Sequence, residues 1–182
     1  MNTTTDLYRR ADGPLTAVLD SLSADEWEKP SPCQQWSARD VVRHVVETER
    51  DFLAGHGLDL QPVPSTDSDP AAAWRQHATA VVEVLDDDAV TGREYDGHFG
   101  RTTIGDNFAR FYVFDMIVHR WDIARAAGRD ERFTDTEMEQ LESGIGGFGD
   151  ALYMEGICKR GVEAPDGADR QTALLAALGR ES

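Results

Sequence analysis

Cysteine is nearly missing from this chain: Cys33 and Cys158 are the two among 182 residues. Two cysteines do not make a disulfide framework, so the fold rests on its core. Long apolar runs are missing too. No stretch of 18 or more apolar residues occurs, and no membrane span is expected. Met1 to Arg10 lack an apolar signal core, so a cytoplasmic location is expected. Basic residues are scarce, with 18 Lys and Arg against 34 Asp and Glu, a net charge of −16. Phosphate backbones would be repelled, which excludes nucleic acid as a partner. Solvated acidic surface accounts for the excess. There is no internal repeat and no low-complexity segment. The length suits one domain with a sizeable core, and a single domain over residues 1–182 is expected.

What is present is helical punctuation. Asp6 to Leu22 carries Leu7, Leu15, Val18, Leu19 and Leu22, with Gly13-Pro14 predicting a start or bend there. Ser23 to Glu26 is a capping box opening a short turn around Trp27. Ser37 to Asp40 is a second box-like start, with Trp36 and Val41 as its staple, and its helix runs to about Leu53. Asp69-Pro70 caps a third helix reaching about Leu85, and the acidic run after it lies outside that helix. Arg93 to Thr103 is a small hairpin or a loop. Thr103 to Asp106 opens a fourth helix that Gly128 closes. Thr134 to Glu137 is a further box, Val162 to Asp169 is extended or turn, and Arg170 to Leu178 is a last short helix. The fold class is all-α, a four-helix bundle with accessory pieces.

The fourth helix organises the rest. From Phe108 to Ala127 it is apolar around most of its circumference, the mark of a buried helix. Yet Asp115, His119 and Asp122 share one stripe of it, within roughly 60° at about 100° per residue. Buried carboxylates are costly unless paired or metal-bound, and a divalent cation would satisfy them. The second helix has its core stripe at Val41, Val42, Val45, Val46, Phe52 and Leu53, with His44 at its margin. His44 is either a structural histidine or a ligand facing the fourth helix. In the second case His44, Asp115 and His119 give three protein ligands and an open position, the layout of a catalytic site. An acid and a histidine four residues apart are equally a common helix salt bridge.

Three segments carry a resemblance. They are Pro32-Cys33-Gln34-Gln35-Trp36-Ser37, then Asp40-Val41-Val42-Arg43-His44, then Asp115 to Gly128 with His119-Arg120-Trp121-Asp122 inside it. They resemble the maleylpyruvate isomerase-like proteins of actinobacteria, within the DinB-like superfamily of metal-binding four-helix bundles. Ala164-Pro165 and Leu174 to Arg180 fit a single-domain branch. The resemblance implies that His44, Asp115 and His119 are metal ligands. The mycothiol-dependent isomerase type has Glu where this chain has Asp115, one methylene shorter. That isomerase also carries a C-terminal domain that this chain is expected to lack, so fold and metal carry over better than the isomerase activity. Two histidines and one carboxylate suit zinc, with nickel and iron also compatible.

Other residues keep two readings. Asp122 either orients a ligand histidine through its second ring nitrogen or pairs with Arg125 or a loop. Thr48 shares the face of His44 and is a candidate pocket residue. Cys33 is expected to pack rather than react. Its separation from His44 along the helix, on the order of 10–15 Å, keeps it from that metal unless the loop folds back. His56, His77 and His98 lack ligand spacing, though His98 sits in a loop able to reach a site mouth. Trp36 and Trp121 are expected as core anchors. The function implied is a thiol-dependent isomerase or transferase, with the metal activating mycothiol or a similar small thiol toward an electrophilic substrate. The alternatives are a metal- or ligand-binding bundle without turnover, or a metal-dependent hydrolase. A monomer or a homodimer fits equally.

Overall fold

A computed structural model describes residues 2–33, 35–153 and 161–181; Cys158 lies outside the described residues. These fall into two compact units, residues 1–129 and 130–182. The first holds α1 (Thr3–Asp20), α2 (Ala38–Gly55), α3 (Pro70–Leu85), α4 (Asp88–Thr91), β1 (Glu94–Gly97), β2 (Gly100–Thr103), α5 (Ile104–Asn107), a π turn (Phe108–Val113) and α6 (Phe114–Ala126). The second holds α7 (Asp135–Phe148) and α8 (Arg170–Ala177). The fold is all-α with one small hairpin. No helix among the described residues is long and apolar enough to cross a membrane.

In the first unit α1 packs on α3 and α6, and α2 packs on the same two helices. This closes a four-helix bundle in which α1 and α2 stand diagonally. The helices carrying His44 and the Asp115 stripe are therefore neighbours. Each bundle helix buries a stripe at helical spacing: Val42, Val46 and Leu53 on α2, Trp74, Ala78, Val81 and Leu85 on α3. α6 is buried nearly all round, from Phe114 to Ala124.

The caps explain the helix starts. Ser37 accepts from the Asp40 N–H while the Asp40 carboxylate accepts from the Ser37 N–H at 2.9 Å, a complete capping box. Asp69 accepts from the Ala72 N–H ahead of Pro70. Thr134 and Glu137 form the same reciprocal pair at α7. Gly128, with φ of 71°, closes α6 in the left-handed conformation, and Arg129 N–H returns to the Ala124 carbonyl at 2.9 Å. Ser37→Ala is expected to cost about 1 kcal/mol of stability, read from the shift of a urea unfolding midpoint. An unchanged midpoint would show that α2 does not depend on its box.

Three expectations need correction. α1 does not start at Pro14: it begins at Thr3 and runs through the proline. Pro14 is exposed, so the Arg10 carbonyl it leaves without a helical donor opens to solvent and the helix survives. The fourth helix is not one regular helix. The π turn at Phe108–Val113 inserts a wider turn between α5 and α6, and π turns reset which face the following residues present. Trp36 is not a core anchor: it is half-buried, with its ring 4.7 Å from that of His44. Trp121 is buried as expected.

Candidate metal centre

α2 and α6 bring the sequence candidates together. His44 Nε2 lies 3.4 Å from Asp115 Oδ2, and His119 Nε2 lies 3.2 Å from Asp115 Oδ1. One carboxylate thus faces two imidazoles, one oxygen to each. The three donor atoms lie within 4.8 Å of one another, and the two rings meet edge to face at 5.3 Å. Around a tetrahedral zinc with ligand bonds of about 2.0–2.1 Å, neighbouring ligand atoms stand roughly 3.3–3.4 Å apart. The donor set and its spacing fit a divalent metal.

The environment is graded. His119 is buried, while His44 and Asp115 are half-buried, and His44 lines a cleft of about 320 Å³. Its lining includes Trp36, Asp40, Arg43, His44 and Glu47. Arg43 is held by Asp40 and Asp67, which fixes the rim. Burial pushes the Asp115 carboxyl up, but His119 and His44 outweigh it and hold it well below the usual carboxylate range. Burial pulls His119 down, but Asp115, Asp122 and Cys33 outweigh it and raise it well above the ordinary histidine value. Metal binding at His119 therefore competes with a proton.

Asp122 is fully buried, and its Oδ2 lies 2.9 Å from His119 Nδ1. That contact engages Nδ1 and leaves Nε2 turned toward Asp115 and His44. Thr48 sits on α2, but its hydroxyl donates to the His44 carbonyl at 2.9 Å. His98 lies in the hairpin turn with its ring against Phe99, and His56 packs between Phe52 and Tyr95. Neither joins a donor group among the described residues.

Cys33 departs from expectation because the loop does fold back. Pro30 and Ser37 pair as an antiparallel bridge, and Trp36 N–H donates to the Cys33 carbonyl at 3.0 Å. Gln35 takes a left-handed φ of 72° to make this turn. Cys33 Sγ ends 3.2 Å from Asp122 Oδ2 and 3.9 Å from His119 Nδ1. The rise of a straight helix was the wrong measure, because the turn carries Cys33 across to α6 rather than away along α2.

One buried cluster was missed. Glu49 on α2 accepts at a single oxygen, Oε2, from the Tyr8 hydroxyl at 3.0 Å and lies 2.8 Å from His77 Nε2 on α3. All three residues are fully buried. The signal was readable: Glu49 continues the inward stripe of Val42, Val46 and Leu53, and His77 continues that of Trp74, Val81 and Leu85. An acid and a histidine on core stripes of adjacent helices call for each other.

A family model described as the mycothiol maleylpyruvate isomerase N-terminal domain matches residues 8–124, all within the first unit. Two uncharacterized proteins of Mycobacterium tuberculosis, from strains CDC 1551 / Oshkosh and ATCC 25618 / H37Rv, are similar to the chain. Each is 25% identical over 132 residues, which is 72% of this chain and 70% of the relative. No solved structure matches.

Proposed function

Because the chain belongs to the mycothiol maleylpyruvate isomerase N-terminal domain family, we propose that it holds a divalent metal through His44, Asp115 and His119 and activates an external thiol there. Zinc suits two imidazoles and a carboxylate best, with nickel and iron compatible. When bound, the metal supplies the Lewis acidity that lowers the pKa of the incoming thiol. The chain does the rest. Asp122 holds the His119 ring in one orientation. Asp115 offers one oxygen to each histidine. Trp36 lies against the His44 ring. Asp40, Arg43 and Glu47 supply the polar rim that a hydrophilic thiol such as mycothiol needs. The nucleophilic sulfur comes from the ligand and not from Cys33 or Cys158, and the reaction class is thiol addition to an electrophile, as in an isomerase or S-transferase.

The observation that carries this reading is the convergence of two imidazole Nε2 atoms on one carboxylate, with His44 on the wall of an open cleft. The test is metal analysis of protein purified without a nickel column, followed by calorimetric titration with mycothiol. Thiol binding is expected with metal present, and is expected to vanish on chelation and in His44→Ala. Thiol binding that ignores the chelator would defeat the mechanism. Metal binding with no response to thiol would favour a metal-binding bundle without turnover.

A further inference from the structure

His119 offers two edges, and the reading above uses only one. Its Nδ1 edge faces a second donor group: Cys33 Sγ and Asp122 Oδ2, with all three atoms within 4.8 Å of one another. We propose that Cys33, Asp122 and His119 Nδ1 form a second divalent-metal site, so that the His119 ring bridges two cations.

The geometry is close to what such a site requires. The three edges of the donor triangle are 3.9 Å from sulfur to nitrogen, 3.2 Å from sulfur to oxygen and 2.9 Å from nitrogen to oxygen. A tetrahedral zinc with metal–sulfur bonds of about 2.3 Å and shorter bonds to nitrogen and oxygen sets these edges at roughly 3.3–3.6 Å. Movements of a few tenths of an ångström bring all three into register.

The backbone is built to deliver the sulfur. The bridge between Pro30 and Ser37, the Ser31 N–H to Trp36 carbonyl bond at 2.8 Å and the Trp36 N–H to Cys33 carbonyl bond at 3.0 Å tighten the turn. The Ser31 hydroxyl also donates to the Cys33 carbonyl, at 3.2 Å. Gln35 occupies the left-handed region, which a residue with a Cβ adopts at a cost. A turn made only to cover the bundle would not need a sulfur set against the buried Asp122.

Charge supports the same assignment. The Cys33 thiol donates to Asp122 Oδ2, and His119 Nδ1 meets the same oxygen. A divalent cation replaces two protons there, the thiol proton and the Nδ1 proton, and both leave to solvent. The exchange preserves the charge of a buried site. With both sites filled, two dications face four negative ligands: Asp115, Asp122, the Cys33 thiolate and a bridging imidazolate. That balance is what a low-dielectric interior demands. A thiolate, an imidazole and a carboxylate select zinc, cobalt, copper or iron over magnesium and calcium. The two sites lie off opposite ring edges of His119, so Cys33 does not occupy the position left for an external thiol.

The test is titration of metal-free protein with Co²⁺, reading cobalt bound per chain and the near-ultraviolet sulfur-to-cobalt charge-transfer band in the absence of added thiol. Two cobalt ions per chain and a band are expected. Cys33→Ser, with Cys33→Ala as a second variant, is expected to lose the band and one cobalt. His44→Ala is expected to keep the band and lose the other cobalt. A single cobalt with no band, removed by His44→Ala, would overturn this second site and leave the first. A band with no His44-dependent cobalt would overturn the first and leave the second. A band that survives Cys33→Ser would place the sulfur elsewhere and overturn the assignment.

Discussion

His119→Ala is expected to strip the protein of all specifically bound metal and to destabilise the metal-free chain by about 3 kcal/mol. No other single change reaches both ring edges at once. The imidazole stands between Asp115 at 3.2 Å and Asp122 at 2.9 Å, so its removal takes a partner from two carboxylates, one of them fully buried. Breaking a buried charge pair costs more than the pair contributes, because the remaining charge stays desolvated. The pH dependence has a definite sign. His119 is raised in the folded state, so its contribution is fully present below the unfolded histidine value of about 6.5 and fades as pH rises through the higher folded value. Asp115 is depressed, so its contribution is present above about 4 and is lost in acid. The advantage of metal-free wild type over His119→Ala is therefore greatest in the window between these limits. Metal affinity runs the other way, rising with pH as the His119 protons become easier to displace. Urea unfolding of both proteins from pH 5 to 9, with metal analysis alongside, reads all of this. Full metal content in the variant would remove His119 from both sites.

Helix starts could be read from the chain because they are local. Ser37 with Asp40, Thr134 with Glu137, and Asp69 before Pro70 each satisfy backbone donors within one turn, so the cause lies within four residues of the effect. The Asp115 and His119 pair is local in the same way. His44 required one further step, that its helix lies beside theirs, and the apolar faces of α2 and α6 supply it. The Cys33 contact depended on a turn whose left-handed residue, Gln35, is not a residue type that announces one. The π turn is hidden for a related reason. Phe108 to Val113 is apolar apart from Arg110, so its periodicity does not distinguish a wide turn from a regular one. Resemblance reached the three ligand candidates and stopped there, because it says nothing of how Tyr8, Glu49 and His77 share the core.

That cluster carries the other large expected effect. Glu49→Ala is expected to cost roughly 3–5 kcal/mol, a fall in Tm of about 10 °C for a chain of this size, whereas Glu49→Gln is expected to cost under about 1.5 kcal/mol. The alanine change opens a cavity and removes the acceptor for the Tyr8 hydroxyl and His77 Nε2, both fully buried. Glutamine keeps the volume, and its amide oxygen accepts from both. It also removes a charge that the interior holds at a cost: burial raises the Glu49 carboxyl, with His77 and Tyr8 pulling the other way without cancelling it. Because the folded value is raised, the stability that Glu49 contributes is full below its unfolded value of about 4.3 and declines as pH rises through the folded one. The gap between wild type and Glu49→Gln should then narrow from pH 5 to pH 8. Among the described residues Glu49 Oε1 has no hydrogen-bond partner, which adds to the cost of ionising Glu49 and strengthens the trend. Equal losses in the alanine and glutamine variants would mean that volume alone matters at this position. A gap that widens with pH would mean that the Glu49 carboxylate stabilises the core, against the direction argued from burial.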